Sequence, residues 1–373
     1  MTHTVFPPPV SFPVRPGPYA RALLRPAAWF ALLGCLLVAM TGPALAQGPA
    51  LNTVEVPVAD RSASARNEAL REALSVMLVR ISGQTEVSGL PGASALLERP
   101  GNWVEQFSYS GRDNDLTLQA RFDVRGISEQ LANAGAPVWG RARPQVLVWA
   151  APDRGDIVSA ESDSDFARGM RERAAWRGLP LQWPAMDSED HARISAADIR
   201  GRFDRQIQSA SQRYQAPLVV SVVYYTSGRP GARWRLLQEG NTLRSGEVSG
   251  DGDSGLGAAL ADAVSDYLAE VYAVRGGAEA SALTVRIEGV ERLESWHTVQ
   301  RFVGQQAGVR AVRLGKLDGK AVNLQVDFSG DTAQLERLLQ LHRQLGPCRE
   351  APAALPEPGA VSEVLRLCWQ GAS

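Results

Sequence analysis

Residues 51–83, LNTVEVPVADRSASARNEALREALSVMLVRISG, read as a short strand followed by a long helix. Val54, Val56 and Val58 alternate with Glu55 and Pro57, the two-residue period of a strand with one buried face. Beyond Asp60, Leu70, Ala73, Leu74, Met77, Leu78 and Ile81 recur at steps of three and four, so they share one helical face. Arg71, Glu72, Ser75 and Arg80 fall away from its centre. Asp60 or Ser62 can accept the free amide hydrogens of the first turn, and Gly83 stands where a left-handed terminator belongs. The striped face needs a sheet to cover, and two strands follow. Val104–Ser110 is the first; in Asp115–Val124, Leu116, Leu118, Ala120 and Phe122 alternate against Thr117, Gln119 and Arg121. Gly111–Asn114 (GRDN) suits a hairpin turn. With short helices near Ala93–Glu98 and Ile127–Ala134, residues 47–140 form a β-α-β-β-α domain.

Upstream of this unit lies a targeting segment. Residues 1–46 carry Arg15, Arg21 and Arg25 and no acid, then the apolar run Ala27–Met40, then Ala44-Leu45-Ala46. These are the basic region, apolar region and small-x-small site of a secretory signal, with cleavage expected after Ala46. The run falls short of the roughly 20 residues of a bilayer span. An uncleaved anchor and lipidation at Cys35 are the alternatives. Apolar residues continue past Cys35 to Met40, which argues against the second. Periplasmic location is the expectation.

Downstream, Gln145–Ala150 and Leu218–Tyr225 are continuous apolar strands of the type buried on both faces. Helices at Ser164–Arg177 and Phe203–Tyr214, a short strand at Pro180–Trp183, and a meander at Ala232–Glu239 and Thr242–Ser249 lie around them. A helix carrying Leu256, Leu260, Val264 and Leu268 closes the unit, capped by Asp253 or Ser254. Residues 141–275 thus read as an α/β sandwich, and Arg275–Ala278 as a linker. In residues 276–373 the order is strand (Leu283, Val285, Ile287), helix (Trp296, Val299, Val303), strand Val309–Leu314, strand Ala321–Phe328, helix (Leu335, Leu338, Leu339), strand Val361–Trp369. That is a ferredoxin-like β-α-β-β-α-β unit, with a Pro-rich loop at 351–359. The whole is an α+β chain of three small domains.

Removing residues 1–46 leaves 36 basic and 40 acidic residues. A net charge of about −4 with scattered arginines argues against a nucleic-acid partner. Cys348 and Cys368 remain as an even pair; in an oxidising compartment a disulfide is the default and free thiols the alternative. Such a bond stabilises by roughly 3 kcal/mol in the chain-entropy model.

No catalytic, cofactor or metal set stands out. Gly252-Asp253-Ser254-Gly255 has the form of a serine-protease nucleophile turn, yet that chemistry needs a histidine and a buried aspartate on paired barrels. The helical setting makes Ser254 a cap instead. Asp251-Gly252-Asp253-Ser254-Gly255 starts like a calcium loop, but Gly255 offers no side-chain ligand at the fifth position, no glycine stands at the sixth, and Asp262 replaces the closing glutamate. Glu294 and His297 have di-iron spacing with no second copy. His342, among Leu338, Leu339 and Leu345, reads as a core residue. No dinucleotide or phosphate loop appears. Trp149 and Trp296 read as core; Trp176 and Trp183, flanking Gly178-Leu179-Pro180, are the better candidates for surface aromatic contacts.

The ordered set VEVPVADRS…EALREALSVMLVRISG, LTLQARFDV and RPQVLVWA resembles the proteobacterial envelope proteins grouped as domain of unknown function 2066, over about Asn52 to Trp369. The resemblance implies an exported Gram-negative protein and brings no catalytic residue with it. The strand at Arg143–Ala150 is also similar to small α/β domains of cell-envelope assembly factors, as a fold analogy. The function expected is a non-catalytic periplasmic binding or assembly-accessory protein with an envelope-protein partner. A periplasmic hydrolase or small-ligand binder with an inter-domain site is the alternative.

Overall fold

The computed structural model describes residues 51–112, 115–225, 230–277, 279–318, 320–342, 344–348 and 364–370. Cys35, the cleavage site at Ala46, residues 113 and 114 of the hairpin turn and the Pro-rich loop lie outside them. Among the described residues ten α-helices and four sheets make a mixed α+β fold.

The first unit comprises β1 (Thr53–Pro57), α1 (Ala63–Ser82), α2 (Ala93–Glu98), β2 (Val104–Ser110), β3 (Thr117–Phe122) and α3 (Val124–Asn133). The strands form an antiparallel sheet of order β1-β3-β2, with Val56 opposite Leu118 and Val54 opposite Ala120. Both candidate caps are used at the start of α1. The Asp60 carboxylate accepts the Ser62 amide at 2.7 Å, and Ser62 Oγ accepts the Ala65 amide at 3.2 Å. Gly83 ends the helix at φ 73°, its N–H donating to the Val79 carbonyl at 2.8 Å. The stripe from Leu70 to Ile81 is buried against Leu118, Ala120, Phe122, Ile127 and Leu131. Each fully buried leucine contributes roughly 1.5–3 kcal/mol.

A two-residue strand β4 (Pro137–Val138) leads to the central unit: β5 (Val146–Pro152), α4 (Asp165–Arg177), β6 (Leu181–Gln182), α5 (Ser188–Arg193), α6 (Ala196–Arg200), α7 (Asp204–Ser211), β7 (Leu218–Tyr225), β8 (Gly231–Gln238), β9 (Asn241–Ser249), α8 (Gly252–Tyr272) and β10 (Val274–Arg275). The sheet order is β6-β5-β7-β8-β9, with β5 parallel to both β6 and β7. One face (Val146, Val148, Val220, Val222, Trp234) packs on α4 and α8. The other (Leu147, Trp149, Ala151, Val219, Leu237) packs on α6 and α7 through Ile199, Ile207 and Ala210. Helices α5 and α6 escape a reading by periodicity because each is a single polar turn or two. They are held by a buried carboxylate: Asp190 accepts from the Met186 amide at 2.9 Å, from Arg213 at 3.0 Å and from the Tyr214 hydroxyl. Burial, reinforced by that bond, pushes the Tyr214 phenol up to about 12.

The last unit comprises β11 (Ser281–Glu288), α9 (Leu293–Gly304), β12 (Val309–Asp318), β13 (Ala321–Phe328), α10 (Thr332–Leu339), β14 (Leu345–Gly346) and β15 (Val364–Trp369). The order is β12-β13-β11-β15-β14, with β11 antiparallel to β13 as expected of a ferredoxin-like unit. The last strand departs from that expectation: β15 runs parallel to β11, where a ferredoxin-like unit has it antiparallel, because the extra edge strand β14, antiparallel to β15, intervenes after α10 and reverses the chain.

The units are less separate than their sequence boundaries suggest. One apolar cluster runs from Val146 and Leu260 through to Phe328 and Leu339. The linker expected at Arg275–Ala278 is instead structured at Arg275 and Gly276, while Ala278 lies outside the described residues. Val274 and Arg275 pair with Val138 and Pro137, and the Gly276 amide donates to the Ala136 carbonyl at 3.0 Å. Gly276 lies so close to α3 that a Cβ there would stand 2.0 Å from the Ala132 carbonyl oxygen.

Three arginines lock the first unit onto the central one. Arg80 was expected to face away from the buried stripe, but it is only 8 % exposed. Its guanidinium donates to the carbonyls of Thr53 at 2.6 Å and Trp176 at 3.2 Å. Arg143 donates to the carbonyls of Arg177 at 2.9 Å, Gly178 at 3.0 Å and Gly140 at 3.3 Å, and to that of Arg80. Burial, with the charges of Arg80 and Arg177, brings its guanidinium down to about 9. Arg177 is fully buried; it bonds Asp262 at 2.8 Å, Asp266 at 2.6 Å and the Gly83 carbonyl at 2.8 Å.

Candidate functional site

An arginine-lined pocket lies at the carboxyl ends of β5 and β7. From β5 the chain passes through α4 to β6 on one side. It returns through α5, α6 and α7 over the opposite face to reach β7 on the other side. The β5–β7 seam is therefore the point where the crossovers diverge, the place where open α/β sheets bind ligands. The cavity there measures about 200 Å³ and is lined by Asp153, Ser221, Tyr225, Arg200, Arg202, Arg233 and Arg235.

Each arginine arrives from a definite local structure. On β8, Arg233 and Arg235 stand opposite Val223 and Ser221 and alternate with buried Ala232, Trp234 and Leu236. The apolar side of the strand thus fixes which way the guanidinium side faces. Arg235 is held by Asp204 at 2.8 and 3.0 Å, and Arg233 donates to the Tyr225 hydroxyl. Arg200, at the end of α6, donates to the carbonyls of Pro152 at 2.9 Å and Gly155. Arg202 has φ 58°, a left-handed backbone that a non-glycine residue adopts at a cost of about 1–3 kcal/mol. Its amide donates to the Ile199 carbonyl at 3.2 Å, while its guanidinium makes no hydrogen bond or ion pair among the described residues. Four guanidinium groups thus meet three carboxylates: Asp153 in the lining, Asp204 beside Arg235, and Glu247 opposite Arg233 on β9. A surplus of planar, multi-donor cations around a small cavity suits bidentate capture of phosphate or carboxylate.

The residues singled out from sequence lie elsewhere. Trp183 is buried at 8 % exposure in the central core, with the Arg171 guanidinium 5.1 Å from its ring, so it is no surface platform. It follows β6, and pairing of that strand with β5 carries it inward. Trp176 is half-buried and covered by Arg173 at 3.9 Å. Ser254 is not the cap of α8; Asp251 occupies that position, with no side-chain bond. The serine turn serves helix packing. A Cβ on Gly169 would stand 2.1 Å from the Ser254 carbonyl oxygen, and one on Gly257 would stand 2.1 Å from that of Phe166. Asp262 is engaged by Arg173 and Arg177 rather than by any loop ligand. The sulfurs of Cys348 and Cys368 are 2.05 Å apart, with Cα atoms at 5.0 Å. Glu288 lies beside them, the three ligand-type atoms within 4.8 Å of one another. Bonded to each other, the sulfurs leave no thiolate for a metal.

His342 packs edge-on to Phe302 at 4.7 Å and against Trp369 at 5.2 Å. Its Nδ1 accepts the Gln344 amide at 3.2 Å, a bond that requires the neutral ring. Burial lowers its pKa below the ordinary 6.5. The unfolded chain therefore binds the proton more tightly than the fold. Stability from this residue is fully present above pH 6.5 and is lost as the pH falls through the folded value. Urea unfolding at pH 7.5 and pH 5 is expected to show a smaller pH-dependent loss in His342→Phe than in the wild type; equal losses would assign the effect to other groups.

The pocket arginines come from α6, the turn after it, and β8, and no motif joins them. One signal was available. An arginine-bearing face on a strand whose other face is fully apolar, next to a fully apolar neighbour strand, marks guanidinium groups facing something other than open water.

In comparison with known proteins, one family model, described as a domain of unknown function (DUF8605), matches residues 46–140, roughly a quarter of the chain. It is a different family from domain of unknown function 2066, which has no match here, so the earlier resemblance is withdrawn. The motifs that carried it were strand edges and helix stripes, which recur in any small amphipathic β-α-β-β unit. No curated protein and no solved structure matches the chain.

Proposed function

We propose that the protein is a binding protein of the cell envelope that holds a small, multiply charged anion in the arginine-lined pocket. The observation that carries this reading is the convergence of Arg200, Arg202, Arg233 and Arg235 on one cavity at the β5–β7 seam. Its volume of about 200 Å³ lies below the roughly 300–1,000 Å³ of drug-sized sites. It therefore favours an ion of phosphate size or a short polycarboxylate. The envelope placement rests on the pattern of residues 1–46, which proposes export of the chain to the periplasm. Arg202 is the residue with least structural duty: it is exposed and its guanidinium has no partner among the described residues, yet it is held in a strained conformation in the lining.

Calorimetric titration of the full chain with inorganic phosphate and with citrate, at matched chloride, tests the reading. Arg202→Ala is expected to weaken binding at least about tenfold, as loss of a charge-assisted contact does. Its stability should stay within about 0.5 kcal/mol of wild type. Failure of both probes to bind at millimolar concentration, or equal binding by wild type and variant, overturns it.

A further inference from the structure

We propose a second binding site, for an uncharged oligosaccharide, in the groove between the central unit and the last unit. This site is independent of the anion pocket. The groove has a volume of about 400 Å³, within the range of small-molecule sites, and it lies at a junction between units, where such sites concentrate. Six of the chain's twenty glutamines line it. Gln208, Gln212, Gln215 and Gln238 form the central wall; Gln340 and Gln370 face them from the other unit. Only Gln340 spends its side-chain amide on a bond within the protein, to Glu336 at 3.0 Å. The other five amides have no side-chain partner among the described residues.

The chemistry of this lining selects its ligand. A primary amide both donates and accepts and carries no charge. Vicinal sugar hydroxyls also donate and accept, at a spacing that an amide or carboxylate can bridge with two bonds. The one acid among the described lining residues, Glu239, can accept from hydroxyls and repels anions. Among the described residues, no arginine or lysine lines the groove to attract a charged ligand. Pro217 and Pro347 supply short apolar surfaces for the C–H faces of a sugar ring. An extended peptide is the poorer fit. Its regularly alternating backbone groups are matched by a strand edge rather than by long side chains from scattered positions.

Gln215 adds a separate indication. It ends the short 3₁₀ turn Gln212–Tyr214 at φ 50°, a left-handed position where glycine is the ordinary choice. A glutamine there accepts strain and places an amide on the groove. Glu239 also has φ 50°, but there the two-residue β8–β9 turn with Gly240 accounts for it.

The test is retention of the full-length protein on an array of uncharged oligosaccharides, followed by calorimetry with the retained sugar. At least one neutral glycan is expected to bind. Gln212→Ala and Gln370→Ala, one on each wall, should each weaken it about fivefold, the scale of one hydrogen bond. Arg202→Ala should leave it unchanged, which separates this site from the anion pocket. Both glutamines are exposed, and unchanged melting of the variants checks that the fold is intact. The proposal is overturned if no neutral glycan is retained, if the two variants bind as wild type does, or if a pool of end-capped peptides binds in place of the sugars.

Discussion

Replacing Arg177 with leucine is expected to lower the unfolding free energy by about 3–5 kcal/mol, the range for removing one partner of a buried ionic network. The guanidinium is fully buried and bonds two carboxylates and one carbonyl from two separate segments: Asp262 and Asp266 on α8, and the end of α1 at Gly83. Asp262 keeps Arg173, whose Nε lies 2.9 Å from each of its oxygens, so the lower end of the range is favoured. The Gly83 carbonyl loses its donor in a place water does not easily reach, and the cost falls mainly there. Arg173→Leu is the control. It leaves Asp262 paired to Arg177 on a partly exposed site, and a loss of about 1 kcal/mol or less is expected. Urea unfolding of both variants checks this. Equal losses would mean that the burial of Arg177, rather than its count of partners, has been misjudged.

Leu74→Asp is expected to be at least as damaging, at about 4 kcal/mol or more. Leu74 lies at the middle of the α1 stripe with no exposed surface, packed in the cluster of Leu70, Leu78, Leu118 and Phe122. No cation is buried in that cluster, so a carboxylate there must either stay charged without a partner or take up a proton. Loss of the packed side chain adds its own penalty. Thermal melting followed by circular dichroism is the measurement. A melting temperature within a degree of wild type would show that another face of α1 is the buried one.

Much of the fold was legible because it rests on local periodicity. The α1 stripe, the apolar runs of β5 and β7 and the strand–helix order of the last unit each show in a few consecutive residues. Hydrophobic patterning predicts which elements form and which face turns inward. It does not reach partners far along the chain. Nothing in the sequence marks Arg80, Arg143 and Arg177 as buried, since arginine is rarely buried unless paired, and their acceptors are carbonyls and carboxylates up to 96 residues away. The same limit hid the pocket. Arg200 and Arg202 are 33 residues from Arg235 at the nearest, and only the β5–β7 seam assembles them. Trp183 failed for a related reason. A turn of Gly178-Leu179-Pro180 suggests surface, but pairing of two residues of β6 with β5 is enough to draw the next side chain into the core.

The ribbon of β4 and β10 has a consequence for how the chain is completed. Its two strands bracket residues 139–273, so the central unit is topologically an insertion whose ends the ribbon ties off. Closing a loop of that length is slow and costs entropy that only the finished central sheet can offset. The ribbon should therefore form late, after both flanking sheets. It works as a clasp, shut only when what it encloses has taken shape. A chain cut at β10 would leave Val138 without its strand partner.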